Sequence, residues 1–183
     1  MILPIVAYGD PVLKRRALNI TPDYADLQVL ISNMYETMRN ANGVGLAAPQ
    51  VGKSIRLFIV DSRAMYEEEN KGINQVFINA ELIQENGSAW PYEEGCLSIP
   101  GIREDVFRKA RIKLRYVDEN FIVQEATFDD LNARVIQHEY DHIEGKLFID
   151  HLKPLKKTLL KSKLNNISKG VVDVKYKMKF AQR

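Results

Sequence analysis

Cysteine is almost missing from the 183-residue sequence, which contains only Cys96. Without a second thiol the chain can form no intrachain disulfide, and this excludes the small secreted domains that disulfides hold together. The single thiol is then a small apolar core residue, a metal ligand or a nucleophile. Long apolar runs are also missing, since no stretch approaches the roughly 18 residues that a membrane-spanning helix needs.

No targeting segment is evident at the amino terminus. The segment Met1–Val6 is too short for a signal peptide and lacks its basic start, so we expect a cytosolic protein. A length of 183 residues with 45% hydrophobic content suffices for one sizeable core. We therefore expect a single domain over residues 1–183.

Acidic residues are nearly absent from the carboxyl-terminal tail, residues 153–183. This tail has ten Lys plus Arg against one acid, Asp173, a net charge of +9, whereas residues 1–152 have 16 against 23, a net charge of −7. A basic tail on an acidic body suggests an anionic partner such as nucleic acid, although a solvated lysine face is the commoner explanation.

Histidine is scarce as well, but two of the three histidines form an H-E-x-x-H motif at His138, Glu139 and His142. Residues four apart on an α-helix are separated by roughly 40° around the axis and about 6 Å along it, so both imidazoles can converge on one ion. Glu139 lies at the edge of the same face, where a carboxylate can take a proton from water. A catalytic metal site of this kind also needs a third protein ligand and an open position.

The residues that commonly supply the third metal ligand after an H-E-x-x-H motif are missing from this sequence. The metzincin motif continues with a third histidine, but Phe148 occupies that position, and Gly145 alone matches. His151 lies beyond it and would need an unusual turn, and Asp173 is the only acid that follows. Cys96 remains as the best candidate, which gives a Cys and two His ligands.

Hydrophobic periodicity predicts an α+β fold. Apolar spacing of three and four residues indicates a helix over 22–41, with Thr21 as a cap and Pro22 in its first turn. A second helix carries the two histidines and ends near Gly145, with Asp129 or Asp130 as its cap. The predicted strands are 56–61, 75–79, 111–117 and 121–128, and the last two read as a hairpin.

The tail is predicted to form a short lysine-rich helix over 155–164 and then an edge strand, because apolar and polar residues alternate over 172–180. Hairpins without βαβ alternation indicate antiparallel pairing. The predicted architecture is therefore antiparallel sheets packed around a central metal-binding helix, with a carboxyl-terminal strand.

Three motifs in this order and spacing resemble the peptide deformylase family. The first is the small-residue segment Gly43–Gln50, which alone would indicate only a tight helix-to-strand turn. The others are Glu94–Ser98 around the cysteine and Gln137–His142 around the H-E-x-x-H motif. Asp10–Leu13 resembles the family's amino-terminal pattern, so the likeness covers nearly the whole chain.

The resemblance implies hydrolysis of the formyl group from the formyl-methionine of nascent bacterial polypeptides in the cytoplasm, which releases formate. It implies a metal held by Cys96, His138 and His142 that activates the attacking water, with Glu139 as general base and then acid. The side-chain amide of Gln50 and the backbone N–H of Leu97 are expected to stabilise the oxyanion. The family's usual ion is Fe(II), with zinc, nickel or cobalt as substitutes.

Substrate contacts are implied for a second set of residues. Gly43, Val44 and Gly45 are expected to bind the peptide backbone like an added strand, and Val44, Leu131 and Val135 to surround the methionine side chain. The remaining candidates are Glu94 and Arg103, where Arg103 contacts the peptide backbone. Arg108 could pair with Glu94. For Arg103 and Arg108 alike, an ordinary surface ion pair is about as plausible.

Rival interpretations remain open at this point. Cys96 could be a nucleophile activated by a histidine, which would leave the H-E-x-x-H motif unexplained. The protein could be another metal-dependent amidase, or a metal-stabilised module that binds the ribosome through its basic tail. Nothing in the sequence indicates specific DNA binding. We expect Asp141 and Glu144 to be solvated helix positions and His151 to be structural or exposed.

Overall fold

The computed structural model of the protein describes residues 1–181, so the last two residues of the predicted tail lie outside the described residues. Its helices are α1 (Leu27–Asn40), α2 (Asp130–Ile143) and α3 (Pro154–Ser168). Its strands are β1 (Ile5–Val6), β2 (Gly45–Ala47), β3 (Leu57–Asp61), β4 (Asn74–Cys96), β5 (Ile99–Val117), β6 (Val123–Asp129) and β7 (Met178–Lys179). Within residues 1–181, no helix is long and apolar enough to cross a membrane.

A five-stranded antiparallel sheet runs in the order β2-β3-β4-β5-β6. This confirms the predicted α+β class and the β5–β6 hairpin. The long strands β4 and β5 form a second hairpin, in which Cys96 pairs with Ile99 and Leu97 and Ser98 make the turn. The cysteine therefore ends a strand immediately before a tight turn.

Strand β4 continues through residues 80–84, which were expected to continue or end the predicted strand 75–79, and runs on to Cys96 with several irregular positions. Its register with β5 shifts at four places, and Asn79 adopts a positive φ of 51°. The Asn79 side chain accepts a hydrogen bond from the N–H of Ile20 and donates one to its carbonyl, both under 3.0 Å. These two bonds stabilise the left-handed conformation, which is uncommon for a residue other than glycine.

Helix α2 packs at the centre of the molecule, as predicted. Its apolar residues Ala133, Ile136 and Ile143 are fully buried against side chains of the sheet such as Phe58 and Phe77. Its polar side is largely buried too, because the functional site lies there. Asp129 occupies the N-cap position but forms no side-chain capping hydrogen bond.

The predicted start of helix α1 is wrong by five residues. Thr21–Tyr24 form a turn instead, in which the N–H of Tyr24 donates to the carbonyl of Thr21. Asp26 then adopts a left-handed φ of 55°, which a continuous right-handed helix cannot contain. The helix therefore begins at Leu27 and has no side-chain cap.

The tail departs from the predicted edge strand. Only Met178–Lys179 pair as a strand, and their partner is β1 in a parallel two-stranded ladder rather than an antiparallel one. The alternation of residues 172–180 persists nevertheless: Val172, Val174 and Tyr176 are half-buried, and the residues between them are exposed. The pattern correctly predicted which side faces inward, but residues 172–176 cross a cleft and pair with no strand in the part of the chain that the structure describes.

Candidate active site

A cavity of about 880 Å³ lies where helix α2, strand β2, the β4–β5 turn and the tail meet. Gly45 and Gln50 lie on one side of it, and Cys96 lies at the turn. His138 and Glu139 project from α2. The elements that carry the three sequence motifs thus surround a single cavity.

Three potential metal ligands converge in this cavity. One donor atom each from Cys96, His138 and His142 lies within 4.8 Å of the other two. The distance from Cys96 Sγ to His142 Nε2 is 3.5 Å. A thiolate and two imidazoles fit a divalent transition metal and leave one position of a tetrahedral site open.

Glu94 holds the first histidine in place. Its carboxylate lies 2.9 Å from His138 Nδ1, which leaves Nε2 of that ring for a metal. The same carboxylate accepts two hydrogen bonds from Arg108 and one from Arg134. Burial raises the pKa of Glu94, but the hydrogen bonds from His138 and Arg108 outweigh burial and hold it well below its usual range.

Glu139 is the carboxylate that could move protons. It is buried, and its Oε2 atom has no hydrogen-bond partner among the described residues. Burial raises its pKa to about 7, where a carboxylate can both accept and return a proton near neutral pH. Gly45 makes room for this side chain, because a Cβ at that position would lie 2.8 Å from the Cγ and Cδ atoms of Glu139.

The amide of Gln50 has a defined orientation. Its Oε1 accepts a hydrogen bond of 2.9 Å from the N–H of Ala47, so Oε1 faces away from the cysteine. Its Nε2 then donates towards Cys96 Sγ at 3.4 Å and Ser98 Oγ at 3.3 Å. The donor of a fully buried amide is thereby directed at the site.

Comparisons with known proteins agree with this geometry. The family model described as polypeptide deformylase matches residues 2–158. The peptide deformylase of Flavobacterium johnsoniae is 53% identical over 99% of this chain and 97% of its own, and that of Christiangramia forsetii is 54% identical over 98% and 96%. The crystal structure of a peptide deformylase from Legionella pneumophila superimposes with a TM-score of 0.82 at 36% identity, covering 93% of this chain and 98% of the other.

The chain belongs to the peptide deformylase family. Peptide deformylases are metal-dependent hydrolases that remove the N-formyl group from nascent polypeptides, and this is the activity of the chain. The family resemblance drawn from the three motifs is thus confirmed.

Most residues implied by the deformylase resemblance surround the cavity. Gly43, Val44, Gly45, Arg103 and Val135 line it. Leu131, expected near the methionine side chain, is not among the lining residues that the structure describes. Arg103 forms an exposed ion pair with Glu93 at 2.7 Å. Glu94 also lines the cavity, and its carboxylate bonds to His138, Arg108 and Arg134.

The structure also adds deformylase residues that sequence reasoning missed. Arg134 donates to Glu94 and to the carbonyls of Val106 and Trp90, yet its position on α2 gave no signal beyond a charge on a helix. Met65 lines the cavity from the segment 62–73 between β3 and β4. Tyr176 reaches the cavity from the tail.

The expectation that Asp141 and Glu144 are solvated is wrong. Asp141 is buried and accepts hydrogen bonds of 2.8 Å from Arg108 and 2.7 Å from His151. Glu144 pairs with the buried Arg56 at 2.6 Å. Helical periodicity did not reveal these partners, because they come from β5, the segment before β3 and the segment after α2.

Proposed function

We propose that Cys96, His138 and His142 hold one divalent ion and that Glu139 transfers the protons in deformylation. The observation that carries this proposal is the convergence of the three donor atoms beside the unpartnered, buried Oε2 of Glu139. Fe(II) is the proposed ion, with zinc, nickel or cobalt as substitutes, and the bacterial cytoplasm is the proposed location. When bound, such an ion lowers the pKa of a water molecule and polarises the substrate carbonyl.

Glu139 first accepts a proton from the attacking water and then gives it to the departing amine. The carbon–nitrogen bond of the formamide breaks, and formate and a free amino terminus are the products. A carboxylate whose pKa is about 7 suits both steps, because neither proton transfer is strongly uphill near neutral pH.

Gln50 and Leu97 stabilise the negative charge that develops on the formyl oxygen. Gln50 Nε2 is fixed in orientation by the Ala47 N–H, so little reorganisation accompanies the reaction. The backbone N–H of Leu97 is the second donor, in the turn directly after Cys96. Loss of one such donor typically raises the barrier by about 3 to 4 kcal/mol.

The peptide substrate lies along the strand that contains Gly45. Strand β2 is at the end of the sheet order, so one of its edges is available for an added strand within the described part of the chain. Val44 and Val135 provide apolar walls for the methionine side chain, and Arg103 lies where it can contact the peptide backbone. Glu94 supports this arrangement by orienting His138.

Formate release from a formyl-Met peptide by anaerobically purified protein tests the proposal. An acetyl-Met peptide and chelator-treated protein are the controls, and reconstitution with Fe(II), Zn, Ni or Co compares the ions. Metal-dependent release from the formyl peptide alone is expected. Activity that survives complete metal removal would instead support the thiol-hydrolase alternative, in which Cys96 is the nucleophile.

The variant Glu139→Gln separates proton transfer from metal binding. Because general acid–base groups contribute about 10²- to 10⁴-fold, we expect a loss in kcat of that size with unchanged metal content. Full turnover by this variant would contradict the proposed role of Glu139.

We also propose that the basic helix α3 brings the enzyme to the ribosome. Its exposed lysines face solvent beside the exposed Leu155 and Leu159, while Leu160 and Leu164 anchor the helix in the core. Phosphate binding by lysines depends strongly on salt, so association is expected at low salt and should weaken as salt rises.

Charge reversal at Lys161 and Lys163 is the sharper test, because it leaves the buried side of α3 intact. The double variant Lys161→Glu, Lys163→Glu should sediment less with ribosomes at low salt. The matched control is Lys53→Glu, Lys146→Glu, which makes the same charge change at exposed positions elsewhere. Equal sedimentation of both double variants would contradict a specific role of α3.

A further inference from the structure

The tail crosses the active-site cleft between two anchors. At one end the N–H of Val171 donates to the carbonyl of Asn166 in α3, and at the other the N–H of Ile5 donates to the carbonyl of Lys177, both at 2.9 Å. Residues 173–176, which lie between the anchors, line the same cavity as Cys96 and His138. The tail is therefore part of the wall of the active site.

Tyr176 links this wall to the β4–β5 turn. Its hydroxyl donates a hydrogen bond of 2.8 Å to the carbonyl of Leu97. Burial, with a smaller contribution from the nearby Cys96, raises the pKa of Tyr176 well above its usual value, so the hydroxyl keeps its proton near neutral pH. Leu97, which accepts this hydrogen bond, is the residue immediately after Cys96.

We propose that Tyr176 is a positioning residue that holds Leu97 with its backbone N–H towards the formyl oxygen. The N–H and the carbonyl of Leu97 flank one Cα atom, so fixing the carbonyl limits rotation of the peptide group that carries the N–H. A donor held in place before the reaction stabilises the transition state without reorganising. This inference rests on the proposed role of Leu97 as an oxyanion donor.

The packing of the tail supports a positioning role. Val172 and Met178, on either side of Tyr176, pack against the same hydrophobic cluster as Ile99 and Ile102 of β5. The packed residues before and after Tyr176 in the sequence thus limit the movement of its phenol ring. Its ring also fills space at the cleft, so removal of the hydroxyl alone leaves the packing in place.

The variant Tyr176→Phe tests the inference with the full-length, metal-loaded enzyme and a formyl-Met peptide. A single neutral hydrogen bond, expressed mainly in the transition state, corresponds to a fall in kcat of about 5- to 10-fold, with KM changed less than about twofold. The carbonyl ¹³C resonance of Leu97 in leucine-labelled protein should shift, because that carbonyl loses its donor.

The matched control is Tyr66→Phe. The Tyr66 hydroxyl also makes one hydrogen bond to the backbone, accepting from the N–H of Asn132 at 3.0 Å, but Tyr66 does not line the cavity. A similar small change in melting temperature is expected for both variants, with a lower kcat only for Tyr176→Phe.

Three results would overturn the inference. These are an unchanged kcat, an equal fall in kcat for the Tyr66 control, and a rise in KM with kcat unchanged, which would make Tyr176 a substrate contact instead. Failure of the proposed role of Leu97 is distinguishable, because the carbonyl resonance of Leu97 would then shift in Tyr176→Phe while kcat stayed unchanged. Neither would change if Tyr176 did not hold the turn.

Discussion

Gly45 illustrates how a single missing side chain permits the chemistry of a neighbour. The sequence motif suggested that this glycine binds substrate backbone, and it does line the cavity. The structure adds a second requirement, because the space that a Cβ would occupy is taken by the carboxylate of Glu139. A residue without a Cβ is therefore needed at position 45 to leave room for the Glu139 side chain, in addition to the proposed contact with substrate.

The variant Gly45→Ala should lower kcat/KM by about 100-fold, because a displacement of a catalytic group by 1 Å can have an effect of that size. Its metal content should stay unchanged, because the atoms nearest to a Cβ at position 45 belong to Glu139 and not to a proposed metal ligand. Kinetics and metal analysis on the same preparation check this.

Gly101→Ala is the control for Gly45→Ala on the same cleft. Gly101 has a positive φ of 73°, so alanine there is strained, but a Cβ would meet no atom within 4 Å. Loss of stability with nearly normal kcat is expected. An equal loss of kcat/KM in both variants would contradict the proposed collision with Glu139.

Glu94 is the residue whose carboxylate connects His138, a proposed metal ligand, to two buried arginines. Glu94→Gln replaces one carboxylate oxygen by an NH2 group that cannot accept a hydrogen bond, and we expect a 10- to 100-fold loss of metal affinity, typical of groups that orient ligands. Competition with a metal-chelating dye measures it. Glu93→Gln, which changes the adjacent exposed carboxylate, should leave metal affinity unchanged.

Among the secondary-structure elements, α2 carries both core residues and proposed active-site residues. Ile136 is fully buried in the main hydrophobic cluster, on the same helix as both histidines. Ile136→Ala should lower the free energy of unfolding by about 3 kcal/mol and Ile136→Val by about 1 kcal/mol, because the cavity left by alanine is larger.

Urea denaturation at constant metal concentration checks the Ile136 series. Leu155→Ala, at a position 71% exposed on α3, is the control and should change stability by less than about 0.5 kcal/mol. If Ile136→Ala were as stable as this control, packing of the apolar face of α2 would not contribute measurably to stability.

The sequence predicted helices and strands correctly where the apolar spacing extended over many residues. It failed where the conformation of a single backbone residue set the start of an element. The spacing of apolar residues identified α1, α2 and α3, but it did not show that Asp26 takes a left-handed conformation and delays α1. Likewise, alternation over 172–180 identified the inward side of the tail correctly. Pairing needs a neighbouring strand, and this is a property of the tertiary fold.

At the scale of the whole molecule, the proposed ion joins elements that are distant in sequence. Cys96 ends β4, whereas His138 and His142 lie on α2, so an ion held by all three binds the folded chain better than the unfolded chain. Removal of the metal by a chelator should therefore lower the melting temperature, and metal at about 100 times its Kd should restore about 2.7 kcal/mol.

Scanning calorimetry with and without chelator measures the effect of the metal on stability. Cys96→Ser is the informative comparison, because its melting temperature should respond less to chelation. A wild-type melting temperature that is independent of metal would contradict a site shared by the two elements.

Three local motifs were enough to predict the family and the proposed ligands: the H-E-x-x-H motif, the lone cysteine and the small-residue segment Gly43–Gln50. Ligand spacing within one helix is a local property, which is why it could be read from the five consecutive positions 138–142. Only the tertiary structure decided which groups support them. The bonds of Glu94 to Arg134, of Asp141 to His151, and of Tyr176 to Leu97 join residues from 10 to 79 positions apart. Such partners are selected by packing, and no periodicity encodes them.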